Sequence, residues 1–347
     1  MPIENRSTFK SEDVTLLFTD ITGMIEPKPT AEREKLIQSG IHYSEMLPLE
    51  NKPSKQYLNE YYRALNNFSI ETADAVLQVS NKIYAKKGED VVLVSLARAG
   101  TPVGVLIKRC LQKQFCISPP HYTISIVRGR GIDKAAMNYI LNRHSAENIQ
   151  FVDGWTGKGA ILDELTTASV EFVNQQNKRD LLAVLADPAN ITDMCGTHTD
   201  FPIASSFLNS TVCGLMSRTI IHTGLKNGEF HGVVFFNELR DEDRTYEFIK
   251  KIESCIDVVK TSGINEIQNI AKYFGIDDIN LIKPGIGEAT RVLLRRLPYM
   301  ILIAENAEDK YISHIVQLAR EKGVPIKRFP LVKYKACGII KELTADA

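Results

Sequence analysis

The feature that most constrains the fold is a repeated order of apolar strand, turn and helix between residues 91 and 186. We predict strands at 91–94, 122–127 and 181–186, and a further strand that ends at 151–153. Apolar strands that alternate with helices are typical of a mostly parallel sheet with helices on both faces. The prediction is therefore an α/β fold whose ligands bind beyond the carboxyl ends of the strands.

The sequence as a whole predicts two domains, residues 1–275 and 284–347, with a boundary near Pro284-Gly285. Residues 187–219 are polar and lack periodicity. We call them the hood segment, because long irregular loops in compact domains tend to be functional. The other predicted elements are a strand at 14–18, helices at 30–39, 55–86, 103–111, 160–174 and 241–275, and, in the C-terminal domain, helices at 288–296 and 310–322 with strands at 299–304 and 326–329.

Composition excludes few classes of partner. Lysine plus arginine and aspartate plus glutamate both total 42, but residues 284–347 carry 11 basic and seven acidic residues. An excess of positive charge there favours a polyanionic partner for the C-terminal domain. The six cysteines form no C-x-x-C pair, which favours a reducing, cytoplasmic location. No apolar run approaches the ~20 residues that span a bilayer, so no membrane partner is predicted.

The first candidate site is the segment 151–160, Phe-Val-Asp-Gly-Trp-Thr-Gly-Lys-Gly-Ala. A strand delivers Asp153, a glycine-rich turn follows, and a helix begins. Backbone N–H groups at such a turn are donors for a phosphate, and Thr156 and Lys158 add a hydroxyl and a charge. The alternative is an ordinary strand-to-helix turn. The segment is neither a Walker A loop nor a dinucleotide-binding fingerprint.

Two further turns carry arginines. The segment 95–102 places Arg98 beside small residues and Gly100, which suits a pyrophosphate because guanidinium groups bind such anions bidentately. Arg128 and Arg130 alternate with glycines and would close over an anionic substrate. The alternatives are a tight turn with a surface arginine and a solvated loop.

A fourth candidate lies in the hood segment, where Cys195 precedes His198 in a C-x-x-H spacing. A thiolate nucleophile needs a neighbouring base, so a cysteine peptidase is the main alternative function. Cys213, His222 and His231 are further candidates for the thiol and the base. C-x-x-H is also half of a metal site, but no second half is evident, so no metal is predicted from a side-chain cluster. An unreactive cysteine remains the third interpretation.

Taken together, segments 95–104, 125–133, 152–160 and 208–219 resemble the StiP family, which is found with bacterial tellurium-resistance (Ter) stress gene clusters. The resemblance covers residues 14–250. Members of that family have been described as cysteine proteases and also predicted to be phosphoribosyltransferases. The three anion-binding turns are similar to those of type I phosphoribosyltransferases, which implies that fold and the substrate phosphoribosyl pyrophosphate (PRPP) with Mg²⁺.

The resemblance to phosphoribosyltransferases implies roles for residues at these turns. Asp153, Arg98, Arg128 and Arg130 would act at the reacting sugar and its leaving group. The implied substrate-binding residues are Ala97, Gly100, Thr101, Thr156, Gly157, Lys158, Gly159, Ser217 and Arg218. Many such enzymes are dimers, so a homodimer is compatible with the resemblance.

The sequence departs from the phosphoribosyltransferase pattern at two positions. Gly154 stands where a second acidic residue is usual, and Gly159 replaces a threonine. Three functions therefore stay open: a phosphoribosyltransferase with an unidentified base-like acceptor, a cysteine peptidase using Cys195, and a non-catalytic nucleotide- or RNA-binding stress protein.

The C-terminal domain resembles the Pelota/L7Ae-type RNA-binding domain. Segments 285–288, 301–305, 323–325 and 336–338 carry the resemblance. It implies an RNA partner, although Gly287 stands where RNA-binding relatives usually have asparagine. The predicted RNA-binding residues are Lys283, Gly285, Glu288, Arg291, Arg295 and Lys335.

Overall fold

The computed structural model describes residues 6–172, 177–221, 224–226, 228–305, 307–331 and 333–341, with backbone alone at 258–265. The chain divides into two compact units, Met1–Ile256 and Asp257–Ala347. This division lies before the boundary predicted near Pro284-Gly285, and it falls within the helix Thr245–Phe274. The periodicity of that helix continues through the division, so the sequence carries no break there. The two units are described separately below.

The first unit contains short and long strands and five complete helices. Its strands are β1 Thr15–Leu16, β2 Thr19–Asp20, β3 Pro27–Lys28, β4 Leu47–Pro48, β5 Val92–Leu96, β6 His121–Ile124, β7 Ile126–Val127, β8 Gly131–Ile132, β9 Ile149–Val152, β10 Leu182–Ala186, β11 Cys195–Thr197 and β12 Gly232–Val233. Its helices are α1 Thr30–Gln38, α2 Lys55–Lys87, α3 Gly100–Phe115, α4 Lys134–Leu141 and α5 Ala160–Ser169, followed by α6 Thr245–Phe274.

The main sheet is parallel throughout, in the order β1-β6-β5-β9-β10-β11. Every residue of β5, β9 and β10 is buried. Strands that are covered on both faces are mainly apolar, which is why these stretches show no alternation. Their two polar side chains, Ser95 and Gln150, are hydrogen-bonded within the protein. The predicted mixed α/β fold with a parallel sheet and helices is confirmed. The carboxyl ends of β5, β9 and β10 meet at one edge.

Several predicted boundaries were wrong for local reasons. Helix α3 begins at Gly100 instead of residue 103, because a proline at 102 is tolerated in the first turn of a helix, where its missing N–H has no acceptor. The predicted strand 122–127 is interrupted at Ser125, after which β7 pairs antiparallel with β8. The predicted end of helix 160–174 lies outside the described residues, and α5 ends at Ser169.

The hood segment is only partly irregular. Its residues Cys195–Thr197 form β11, the edge strand of the main sheet, which pairs with β10. Gly196 allows β11 to pack directly on α2, since a Cβ there would lie 2.3 Å from the Ala75 carbonyl oxygen. A three-residue strand with one glycine gives no periodic signal, so the sequence did not predict it.

The second unit is a small α/β structure with its own core. Its elements are β13 Ile282–Pro284, α7 Ile286–Arg295, β14 Pro298–Ala304, α8 Asp309–Glu321, β15 Ile326–Phe329 and β16 Ala336–Ile340. The sheet order is β13-β16-β14-β15, in which only β14 and β15 pair in parallel. Among the described helices of both units, none is at once long and apolar enough to cross a membrane.

Candidate active site

The turns after β9 and β10 are joined by hydrogen bonds at the carboxyl edge of the sheet. The backbone N–H of Thr156 donates to the Ala186 carbonyl at 3.0 Å, and that of Leu185 donates to the Gly154 carbonyl at 3.0 Å. The Thr156 hydroxyl donates to the Asp187 carboxylate. Both donors of Thr156 are therefore used within the protein, and they hold the glycine-rich turn against β10.

Asp153 follows β9 directly, begins this turn and is partly buried. Its Oδ1 accepts a hydrogen bond from the Gly154 backbone N–H at 2.8 Å. Burial raises the pKa of Asp153 to about 7, because removal from water disfavours the charged form. A carboxyl group whose pKa is shifted this far at the carboxyl edge of a parallel sheet marks a candidate functional site.

The turn residues Gly157, Lys158 and Gly159 precede α5, and the first two are exposed. Within the described residues, the backbone N–H groups of these three residues have no hydrogen-bond acceptor. Gly159 has a φ of +91°, a conformation that favours glycine. Free N–H groups at the start of a helix form the type of site that binds a phosphate.

Arg98 leaves β5 after a cis Ala97-Arg98 peptide bond. Its Nη1 donates to Glu50 Oε1 at 2.8 Å and to the Met216 carbonyl at 3.1 Å. Gly100 is buried against β9, since a Cβ there would lie 2.4 Å from the Val152 carbonyl oxygen. Thr101 is fully buried and its hydroxyl has no partner. Gly100 thus serves the close approach of α3 to β9.

The basic loop is the turn between β7 and β8. Arg128 and Arg130 are exposed, and Arg130 Nη2 pairs with Glu45 Oε1 at 2.8 Å. The Gly129 N–H donates to Glu164 Oε1 at 2.6 Å, and the Arg128 N–H donates to the Tyr43 hydroxyl at 2.9 Å. The loop that the sequence predicted to close over a substrate is thus tied to α5 and to residues 43–45.

Ser217 and Arg218 follow Met216, whose carbonyl oxygen accepts a hydrogen bond from Arg98. The Ser217 hydroxyl is buried and donates to the Arg218 carbonyl at 2.6 Å. Arg218 Nη2 donates to the Tyr43 carbonyl at 2.7 Å. Burial, together with the nearby guanidinium of Arg33, lowers the pKa of Arg218 to about 10. Arg33 and Glu50 were not singled out from the sequence, because only the tertiary fold brings them here.

Cys195 and His198 are neighbours in space. Cys195 Sγ lies 3.5 Å from His198 Nε2 and 3.8 Å from Nδ1, and Nδ1 is 2.8 Å from the Asp187 carbonyl oxygen. Because the sulfur is at similar distances from both ring nitrogens, it lies beside the ring rather than in line with either lone pair. Cys195 is 1% exposed, and burial raises its pKa. The thiol in this arrangement is protonated and shielded from solvent.

The other candidate thiol and bases lie in environments that suit a nucleophile and its base even less than those of Cys195 and His198. Burial raises the pKa of Cys213 to about 12. His231 contacts the Ser125 hydroxyl at 2.8 Å, and burial lowers its pKa. His222 lies outside the described residues. Neither Cys213 nor His231 therefore has the environment of an activated nucleophile or a solvent-facing base.

Asp187, Cys195 and His198 also form a group whose ligand atoms lie within 4.8 Å of one another. Asp187 is fully buried, and its Oδ2 accepts hydrogen bonds from the N–H groups of Ile191 at 2.8 Å and Thr192 at 3.0 Å. With Oδ1 bonded to Thr156, the carboxylate is already satisfied. Two ligands remain, whereas structural zinc sites use four.

In the second unit, the residues predicted to bind RNA surround the start and the last turn of α7. Lys283, Glu288, Arg291 and Arg295 line a cavity of about 310 Å³. Gly285 has a φ of +99°, and its N–H donates to the Ala336 carbonyl at 2.8 Å. Lys335 is exposed, with Nζ 5.0 Å from the centre of the Tyr311 ring. These residues form a mainly basic surface.

Comparison with known proteins gives two family matches. Residues 7–253 match the family described as "Tellurite-like stress resistance cysteine protease StiP". Residues 261–342 match the family described as "PELOTA RNA binding domain". The chain is also similar to a protein named "Cysteine protease StiP" from Acinetobacter baylyi, with 34% identity over 366 aligned positions that cover 97% of this chain and 94% of the relative. The resemblances to the StiP family and to the Pelota-type domain are confirmed, whereas the resemblance to phosphoribosyltransferases stays a prediction.

Proposed function

The chain belongs to the StiP family, with a Pelota-like domain at its C-terminus, and from the turn after β9 we propose that its first unit is a phosphoribosyltransferase. The observation that carries the proposal is that this one turn contains both Asp153, a partly buried carboxyl group, and three backbone N–H groups without an acceptor among the described residues. A phosphosugar offers both matching parts, namely hydroxyl groups for the carboxylate and a phosphate for the amides.

The proposed roles follow from this geometry. Gly157, Lys158 and Gly159 bind the 5′-phosphate through their backbone N–H groups and the lysine charge. Asp153 binds the ribose hydroxyls. Arg98 faces the pyrophosphate, and Arg128 and Arg130 cover the ligand, since guanidinium groups bind such anions bidentately. Ala97, Gly100, Thr101 and Thr156 position these groups, and Ser217 and Arg218 lie towards the acceptor.

In this reaction the bond between C1 of the sugar and the pyrophosphate oxygen breaks, and a C–N bond to the acceptor forms. The acceptor nitrogen loses its proton to solvent or to the departing pyrophosphate. Positive charge builds on the ring and negative charge on the leaving group. Guanidinium groups that donate to the leaving group would stabilise that charge. Arg98 would use the donors that Glu50 and Met216 leave unused, and Arg130 would exchange Glu45 for the pyrophosphate.

Mg²⁺ is the cofactor that the substrate implies. Asp153 suits it, because one of its oxygens has no partner among the described residues and Mg²⁺ is commonly held by one carboxylate together with substrate phosphates. When bound with PRPP it neutralises the pyrophosphate charge. Ionised Asp153 would then be favoured, which brings the pKa of this group below about 7 in the complex.

The test is calorimetric titration of PRPP with Mg²⁺ into the full chain and into the Lys158→Ala variant. We expect micromolar binding that weakens at least tenfold in the variant. Lys178→Ala is the matched control, because Lys178 pairs with Asp163 on the exposed surface. Absence of binding at millimolar PRPP would overturn the proposal. Binding without transfer to any base would instead support the non-catalytic nucleotide-binding function.

A second candidate function is that of a cysteine peptidase, the activity given in the name of the Acinetobacter baylyi relative. The observation that favours it is the 3.5 Å distance between Cys195 Sγ and His198 Nε2. The thiolate would attack a peptide carbonyl and form a thioester, His198 would protonate the leaving amine, and water would hydrolyse the thioester. The burial of Cys195 requires that β11 move first.

The two candidates are separated by one pair of variants. If the protein is a peptidase, Cys195→Ala abolishes cleavage of a casein substrate and Asp153→Asn leaves it intact. If it is a phosphoribosyltransferase, Asp153→Asn weakens PRPP binding and Cys195→Ala does not. Cleavage that survives Cys195→Ala would reject Cys195 as the nucleophile.

For the second unit we propose RNA binding, and the family match supports it. The basic cavity at α7 supplies cations for phosphate oxygens, which position an RNA without reading its sequence.

A further inference from the structure

The first unit contains a cavity of about 620 Å³ that is lined by four cationic side chains. Arg33 on α1, Arg98 after β5, and Arg218 all face it, together with Lys52. Among the lining residues that the structure describes, Glu50 is the one acid. Such an excess of positive charge within a cleft concentrates anions from solution.

Two of these arginines have donors with no acceptor. The Nε groups of Arg33 and Arg218 are buried and unpartnered among the described residues. A guanidinium has five N–H donors, and the terminal Nη groups of Arg33 also have no partner among the described residues. Unlike the enclosed Nε groups, these terminal donors are not buried, so an anion or water in the cavity can accept from them.

Among the described residues, the side chain of Arg33 has no ion-pair or hydrogen-bond partner, and helix α1, which carries it, buries none of its residues. Arg98, in contrast, is held by Glu50 at 2.8 Å, and Lys52 pairs with Glu242. Arg218 donates to the carbonyl oxygens of Tyr43 and Met46 and makes no ion pair within the described ranges. Arg33 and Arg218 are therefore the two cations of this cavity without an acidic partner in the described part of the chain.

The remaining lining mixes apolar and polar side chains. Leu49 and Tyr57 expose 49% and 61% of their surface, Pro48, Phe207 and Leu208 add apolar surface, and Asn51, Asn209 and Thr211 are among the polar lining residues. Flat apolar side chains beside cationic groups fit a ligand with a planar body and a charged end.

We propose that this cavity binds the acceptor, and that the acceptor is a planar compound carrying a carboxylate or phosphate held by Arg33 and Arg218. The identification of the ligand as the acceptor rests on the proposed phosphoribosyltransferase. The anion site itself does not. Arg98 contacts the cavity and also leaves β5 at the sheet edge, which places the two ligands next to each other.

The test uses phenyl phosphate and benzoate as probes, with uncharged phenol for comparison, each titrated into the full chain. We expect both anions to bind, and Arg33→Gln to weaken binding about tenfold, the effect of one charge-assisted hydrogen bond. Arg63→Gln is the control, because Arg63 is exposed and paired with Glu60 outside the cavity. Tighter binding of phenyl phosphate would indicate an acceptor that carries a phosphate, and tighter binding of benzoate one that carries a carboxylate.

Failure of this inference is distinct from failure of the proposed function. If the anions bind as tightly to Arg33→Gln as to the wild type, or if phenol binds equally well, the anion site is wrong. PRPP binding is measured in the same variant, where we expect it unchanged. Arg33-dependent anion binding without any PRPP binding would leave the anion site standing and remove the transferase.

Discussion

At the scale of single residues, Asp153 couples the site to the stability of the fold. Burial raises its pKa from the ordinary value of 3.8 to about 7. Between these two pH values the unfolded chain releases the proton while the folded protein retains it. The free energy of unfolding therefore falls as the pH rises through this window.

We predict that Asp153→Asn stabilises the protein above about pH 7 by on the order of 2 kcal/mol, because an amide has no charge to bury. The difference should vanish well below the ordinary pKa of 3.8, where the carboxyl group is neutral in both states. Urea unfolding at several pH values measures this. Asp200→Asn, which alters an exposed carboxylate, serves as the control. An equal effect of both substitutions would show that Asp153 is not the cause.

At the scale of elements, the sequence predicted those parts whose signal is local. The buried, mainly apolar strands β5 and β10 and the amphipathic helix α2 were placed within a few residues. Strand β11 was missed, since Cys-Gly-Thr carries no period and gains its place only by pairing with β10. Turn chemistry likewise indicated Arg98, Asp153 and Lys158 as candidate site residues, which stay predictions. It gave no signal for Arg33 and Glu50, because only the fold brings these two to the cavity beside Arg98.

The contact between β11 and α2 controls access to Cys195. We predict that Cys195 in the wild type reacts with iodoacetamide at least tenfold more slowly than Cys116, which is exposed. In Gly196→Ala the new methyl group would meet the backbone of Ala75, so β11 must shift away from α2 and Cys195 should react about tenfold faster.

Site-resolved mass spectrometry of the alkylated protein measures both rates in one sample. Gly157→Ala is the matched control, because a Cβ at this position has no neighbour within 4 Å. If Cys195 in the wild type reacts as fast as Cys116, the thiol is accessible and activated. That outcome would favour the peptidase over the phosphoribosyltransferase.

At the scale of the whole molecule, the candidate active site and the basic cavity belong to different compact units. All residues proposed to bind PRPP lie before residue 257, and all those proposed to bind RNA lie after it. Each activity should therefore be removable without the other. A variant that loses RNA binding and keeps PRPP binding tests this division.

We predict that the full chain binds a stem-loop RNA with an affinity that falls steeply as salt rises, because phosphate contacts release counterions. Arg291 and Arg295 line the basic cavity on α7. Replacing both with glutamine should weaken binding and reduce the salt slope by about two, one for each lost phosphate contact. Fluorescence anisotropy between about 50 and 200 mM salt measures the slope. Arg320→Gln, which alters an exposed arginine of α8 outside this cavity, should leave the slope unchanged. Equal slopes for the wild type and the double variant would place any RNA on another surface of the protein.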